Sequence, residues 1–115
     1  MNFSNQEQVY LELINYIFPK INGAQMGHNY YELNNFFINK QDIWRLITFI
    51  DGEEWIRCES EDVIEVFSKL FELVGCFHPD DLAFKHLFNI LTQFKKSSFH
   101  QKLTREKPKS SNDNL

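Results

Sequence analysis

The residues with the most reactive side chains include two cysteines and four histidines. One cysteine lies close to a histidine in the sequence. Cys76 stands two residues before His78, and His86 follows eight residues after that histidine. A thiol and an imidazole can form a nucleophilic pair, but residues two apart on a helix do not face each other. Two histidines that share a zinc ion on a helix stand four residues apart rather than eight. The sequence therefore predicts neither catalytic residues nor a metal site.

Acidic residues cluster around a tryptophan in the middle of the chain. Between residues 51 and 65, seven acids surround Trp55 and Arg57. Such a cluster is typical of a solvated face, but it can also bind a basic partner, and an exposed tryptophan then contributes strongly to affinity. The predicted interaction surface consists of Glu53, Glu54, Trp55, Glu59 and Asp62.

The net charge of −4 is divided unevenly along the chain. Residues 1–94 hold six bases and fourteen acids, which gives −8, whereas residues 95–115 hold six bases and two acids, which gives +4. We expect the acidic body to repel nucleic acid and anionic membranes, so neither is predicted as a partner. The basic segment 96–115 is predicted to be a disordered tail outside a single globular domain, residues 1–95.

The predicted location is the cytoplasm. No apolar run approaches the ~20 residues of a membrane span, and the first residues lack the apolar centre of a signal peptide. Cys58 and Cys76 fit no metal spacing and are expected to be ordinary reduced thiols.

The N-terminal segment has the pattern of an amphipathic helix. Apolar residues recur at helical spacing between residues 9 and 17. Ser4 and Glu7 have the spacing of a capping box, and Pro19 ends the pattern. The sequence therefore predicts a helix over residues 4–18.

The middle of the chain favours strands, because it is rich in aromatic and β-branched residues. Residues 22–29, with two glycines and little periodicity, indicate a loop. Residues 30–38 favour a strand, although the Asn34-Asn35 pair weakens that prediction. Residues 43–50, closed by Asp51-Gly52, also favour a strand, with a helix as the competing interpretation of so short a run. We expect a short antiparallel sheet of two or three strands.

Two amphipathic helices are predicted after the strands. Ser60 is the expected cap of the first, which ends near Gly75, and Pro79-Asp80 opens the second, with Asp80 as its cap. The predicted fold class is α+β: an N-terminal helix, the short antiparallel sheet, two C-terminal helices and the disordered tail.

Several motifs follow one another in an order that suggests a relationship. A predicted helix ends in Phe18-Pro19, a strand begins with Trp44-Arg45 and closes with Asp51-Gly52, and a later helix carries Gly75-Cys76-Phe77-His78. In this order the motifs resemble the aminoglycoside phosphotransferase and choline kinase-like family of small-molecule kinases. The resemblance spans residues 5–103. In that family two strands follow the helix, and the second leads into the hinge between the lobes.

The resemblance implies a hinge-like segment whose backbone would bind the adenine of ATP, with apolar side chains beside the ring. ATP is the only cofactor that it implies. The alternative is that the apolar residues of this segment belong to the core. The segment consists of Thr48, Phe49, Ile50, Asp51 and Gly52.

The parts that transfer a phosphoryl group are missing from the pattern. No glycine-rich turn and no strand lysine precede the first predicted helix. His78-Pro79-Asp80 followed by Asn89 echoes the family's catalytic loop, but the spacing is too long and the intervening residues favour a helix.

Three functions are compatible with these observations. The first is a partial, non-catalytic relative of the kinase family, which would either be a piece of a split or decayed gene or need a complementary kinase portion as its partner. The second is a small acidic binding protein, of the immunity-protein or antitoxin type, that blocks a basic toxin. The third is a structural adaptor. Under the first interpretation, we do not expect the chain alone to be an enzyme.

Overall fold

The fold, taken from a computed structural model, consists of three α-helices and five β-strands. The structure describes the backbone of residues 2–111 and the side chains of residues 6–96. In chain order the elements are α1 (Asn2–Ile17), β1 (Gln25–Gly27), β2 (Tyr30–Leu33), β3 (Phe36–Lys40), β4 (Trp44–Ile50), β5 (Glu53–Ser60), α2 (Val63–Val74) and α3 (Leu82–Ser111).

The five strands form one antiparallel sheet in the order β1-β2-β3-β4-β5, so each strand pairs with its neighbours in the sequence. The α+β class and the order of helix, sheet and two helices agree with the prediction, but the prediction of two or three strands is wrong. Residues 22–29, expected to be a loop, contain β1. The Asn34-Asn35 pair, with φ of 54° and 66°, is the two-residue turn that divides the predicted strand 30–38 into β2 and β3.

The helices pack on one face of the sheet, which we call the inner face. The largest side chains buried between this face and the helices include Tyr31 and Trp44 from the sheet and Phe67 from α2. The ring of Tyr31 meets that of Phe67 edge to face, with centroids 4.8 Å apart. Burial of each such side chain stabilises the fold by about 1.5–3 kcal/mol, so this face is the main source of stability.

A carboxylate of α1 fastens that helix to the sheet. Glu7 Oε2 accepts a hydrogen bond of 2.6 Å from Trp44 Nε1 and lies 3.4 Å from Lys40 Nζ. Helix α1 begins at Asn2, upstream of the predicted capping residue Ser4, whose side chain lies outside the described ones. The acid expected to cap the helix therefore satisfies the buried indole instead.

The caps of the two later helices differ from the prediction by one or two residues. Asp62 rather than Ser60 caps α2, because its carboxylate accepts a hydrogen bond of 2.9 Å from the backbone N–H of Ile64. Asp81 rather than Asp80 caps α3, since its Oδ1 accepts from the backbone N–H of Phe84.

Helix α3 continues to Ser111, so the structure places most of the predicted tail, residues 96–115, in this helix. The division of the chain at residue 95 stays a prediction. Over the part of the chain that the structure describes, no helix combines the length and the apolar character that a membrane crossing requires.

Candidate functional site

The β4–β5 hairpin brings together most of the residues that the sequence singled out. Its two strands are joined by Asp51-Gly52, with φ of 53° and 80°, and Ile50 lies opposite Glu53. Two left-handed residues in a two-residue turn match the twist of an antiparallel pair, and the Asp-Gly dipeptide favours this turn. We call residues 49–56 the hairpin tip.

Four large apolar side chains of the hairpin tip are about half exposed. The exposed fractions are 51% for Phe49, 47% for Ile50, 50% for Trp55 and 51% for Ile56. Ile50 and Trp55 lie on the inner face and Phe49 and Ile56 on the opposite face. Exposure of four large apolar side chains within eight residues exceeds the isolated apolar residues found on any protein surface, and such exposure marks sites of interaction.

The inner-face residues of the hairpin tip are exposed because the helical layer stops short of them. Along the inner face of β4, Trp44 and Leu46 are fully buried and Thr48 is nearly so, whereas Ile50 is half exposed. On β5, Trp55 lies opposite Thr48 and is also half exposed. The inner face therefore loses its cover over the last residues before the turn.

The predicted interaction surface divides into two groups in the structure. Glu53, Glu54 and Trp55 are exposed at the hairpin tip. Glu59 lies farther along β5 and forms an ion pair with Arg45 at 2.7 Å, while Asp62 caps α2. Only the first three residues therefore lie together at the hairpin tip, with Glu53 and Trp55 on the inner face and Glu54 on the opposite face.

The hairpin tip carries a local negative charge. It contains Asp51, Glu53 and Glu54 and no lysine or arginine, so its formal charge is −3. The next base along the chain, Arg57, is exposed on β5. An apolar group surrounded by carboxylates suits a ligand that carries both apolar and cationic groups.

The predicted hinge-like residues form the end of β4 and the turn. Thr48 is buried, and its hydroxyl donates a 3.0 Å hydrogen bond to the carbonyl of Asn35. Phe49, Ile50, Asp51 and Gly52 belong to the hairpin tip. The resemblance implies a hinge that leads to a helix, whereas this segment turns directly into β5. ATP binding by these residues stays a prediction.

A row of aromatic side chains leads to the hairpin tip across the outer face of the sheet, which is the face opposite the helices. The ring of Phe37 on β3 lies 6.3 Å from Tyr30 on β2 and 5.7 Å from Phe49 on β4. Ile47 lies opposite Phe37 and Ile56 and is only 7% exposed. These side chains extend the apolar surface of the tip away from the turn.

His78 belongs to a second polar cluster, on the helical side. Its Nε2 lies 2.6 Å from Asn34 Oδ1 and its Nδ1 lies 3.5 Å from Asp81 Oδ2, and its ring stacks on Phe84. Burial opposes ionisation of Asp81, but hydrogen bonds from the backbone of Asn22 and Phe84 and the nearby His78 lower the pKa of its carboxyl overall. These contacts connect the β2–β3 turn to the start of α3.

An open groove of about 290 Å³ lies between β5, α2 and α3. Two acids and two lysines line it with Cys58, so its formal charges cancel. Burial, followed by the negative charge of Glu65, raises the pKa of the Cys58 thiol, which makes it a weak nucleophile near neutral pH. The groove offers no concentrated charge or reactive group for a ligand.

Neither the arrangement of possible metal ligands nor comparison with known proteins indicates another site among the described residues. Within the described residues, no group of three or more His, Cys, Asp or Glu side chains is placed to hold a metal ion. Comparisons with protein-family models, with curated proteins and with solved structures gave no match.

Sequence reasoning missed Ile56 and the strand β5 that presents it. The available signal was Asp51-Gly52 itself, because Asp-Gly between two apolar runs is a strong indication of a hairpin. Had that dipeptide been interpreted as a hairpin turn, residues 53–60 would have been predicted as a further strand.

Proposed function

We propose that this chain is a binding protein that docks a basic partner protein on the hairpin tip. The proposal depends on one observation: Phe49, Ile50, Trp55 and Ile56 are each about half exposed in a segment that carries three acids and no base. Interfaces commonly combine an apolar centre with a polar rim, and aromatic residues are enriched at their centres.

The charge of the hairpin tip favours a protein over a nucleotide as the ligand. The phosphates of ATP would approach Asp51, Glu53 and Glu54, which repel them, while lysine and arginine side chains would be attracted. The nucleotide site therefore remains an implication of the kinase resemblance alone, and no contact at the turn favours it.

A basic toxin is one partner with the required chemistry, and the chain would then act as its immunity protein or antitoxin. Steric blocking needs only a complementary surface, which a small acidic domain can supply. A cytoplasmic location belongs to the same proposal, because Cys58 and Cys76 are both free and thiols persist in a reducing compartment.

Affinity capture with matched variants tests the proposal. The tagged protein is used to capture basic proteins from an extract of the cells that produce it, and the retained proteins are quantified by mass spectrometry. We expect Trp55→Ala to weaken binding by about 2 kcal/mol, roughly 30-fold, because a half-exposed tryptophan can become an anchor on binding. Glu54→Lys should weaken binding by reversing a charge at the hairpin tip, opposite Phe49.

Glu12→Lys is the matched control, because Glu12 is exposed on α1 and the change in net charge is identical to that of Glu54→Lys. It should retain the partner. Equal capture by the unaltered protein and by all three variants would contradict the proposal, since binding would then be independent of the hairpin tip.

A further inference from the structure

The strand β5 has an open edge as well as exposed side chains. It is the longest strand of the sheet, with eight residues, and among residues 2–111 it pairs only with β4. The backbone groups on its other edge are available to another strand, as at the free edge of any sheet. Addition of an extended segment at such an edge is a common mode of protein recognition.

We propose that the partner's contact with this chain includes an extended, basic segment that pairs with the free edge of β5 as a sixth strand. This inference rests on the proposed function and specifies how the partner binds. It commits to a strand with alternating cationic and apolar residues, on the basis of the charges and faces of β5.

A second copy of this chain fits the edge poorly in the register that pairs the whole of β5 with itself. In an antiparallel pair of β5 strands centred between Ile56 and Arg57, Glu54 of each copy would lie opposite Glu59 of the other. Like charges directly opposite each other destabilise a strand pair. The same two glutamates would stabilise a pair with a strand that carries lysine or arginine.

The faces of β5 specify the pattern of the partner strand. Glu54, Ile56 and Glu59 lie opposite outer-face residues of β4, while Trp55 lies opposite the inner-face Thr48. A bulge between the Ile56 and Cys58 pairs leaves Arg57 without an opposite residue. The partner strand should therefore present basic side chains on the outer face, near Glu54 and Glu59, and apolar side chains on the inner face, beside Trp55.

A peptide of four Lys-Val repeats, acetylated and amidated at its ends, is a suitable probe. We expect it to bind the full chain and to slow hydrogen exchange at least 10-fold at about half of the amides of β5, measured by NMR. The same peptide N-methylated at every residue keeps its charge but cannot donate ladder hydrogen bonds. Its affinity should be at least 10-fold lower.

The peptide measurements test strand pairing, and capture of the partner tests the proposed function, so the two can fail separately. Equal binding of both peptides, or binding without slowed exchange at β5, would overturn strand pairing and leave a charge-based contact. Failure of the Lys-Val peptide to bind would also overturn it, even where the partner is still captured in a Trp55-dependent way. Loss of that Trp55 dependence would overturn the proposed function itself.

Discussion

The two tryptophans of the β4–β5 hairpin occupy opposite ends of it and have opposite environments. Trp44, at the base, is fully buried and its indole N–H donates to Glu7, whereas Trp55, at the tip, is half exposed. Both point toward the inner face of the sheet, as their pairing partners Ser60 and Thr48 show. The difference therefore arises from the extent of the helical layer and not from the face of the strand.

The acids of the two ends differ in the same way. Glu7 at the base accepts the indole hydrogen bond and approaches Lys40. At the tip, no hydrogen bond or ion pair of Glu53 or Glu54 is found among the described contacts. A carboxylate that stabilises the fold is fixed by its neighbours, while those at the tip remain available to a partner. The contacts that stabilise the fold therefore lie at one end of the hairpin, and the proposed binding surface lies at the other.

Substitution of each tryptophan by alanine tests this comparison most strongly. Trp44→Ala should lower the free energy of unfolding by about 3–5 kcal/mol, because it leaves a large cavity in the core and removes the donor to Glu7. Trp55→Ala should lower it by less than about 1 kcal/mol, since half of the side chain is already in water. Urea unfolding followed by circular dichroism measures both values.

Trp44→Phe keeps most of the core volume and provides a measurable variant where Trp44→Ala does not fold. It should be less stable than the unaltered protein and less stable than the Trp55→Phe variant. Similar losses at the two positions would mean that the tip contributes to stability as much as the base, and the division of roles would be wrong.

The sequence predicted the class and the order of the helices, because their signals are local. The apolar stripe of α2 and the dense run of β4 each give a clear pattern. β1 is only three residues long and contains a glycine, so it carries no period to detect. β5 is rich in glutamate, which strands disfavour, and its bulge interrupts the alternation. Its detection required the Asp-Gly turn.

The candidate site was predicted in part, in its acids and in Trp55. The exposure of Ile50 could not be predicted, because it depends on where the helices end above the sheet, and that of Phe49 could not, because it depends on which face of the sheet the helices leave uncovered. In the sequence these residues continue the apolar run of Trp44 and Leu46, which are buried, and nothing local distinguishes them. Likewise, the use of Asp62 as a helix cap depends on where α2 begins.

Neutralising one acid at each end of the hairpin also tests the comparison. The effect on stability should be smaller than that of Trp44→Ala and should be confined to the base. Glu7→Gln should cost about 1–2 kcal/mol, because the charge-assisted hydrogen bond from Trp44 becomes a neutral one and Lys40 loses its partner. Glu54→Gln should change stability by less than about 0.5 kcal/mol, since Glu54 is exposed. The measurement is the urea midpoint at pH 7. A larger loss at Glu54 would show that the acids at the tip stabilise the fold.

The smallest effect concerns a hydroxyl beside the hairpin base, where Tyr31 lies against Trp44 with ring centroids 6.4 Å apart. Burial raises the pKa of Tyr31 to about 12, against about 10 in the unfolded chain. Since the folded pKa is the higher one, the stability linked to this hydroxyl is complete below about pH 10 and is lost as the pH rises towards 12.

Tyr31→Phe removes this titration. At neutral pH it should cost about 1 kcal/mol through loss of the hydrogen bond to Asn15, but the variant should lose less stability than the unaltered protein between pH 10 and pH 12. Tyr16→Phe is the control, because Tyr16 is 70% exposed and its variant should follow the unaltered protein. Parallel losses for all three proteins across this range, measured by urea unfolding, would mean that the inner face beside Trp44 admits water. The base of the hairpin would then be accessible to water, as the tip is. The different exposure of Trp44 and Trp55 would reflect only the packing of each side chain.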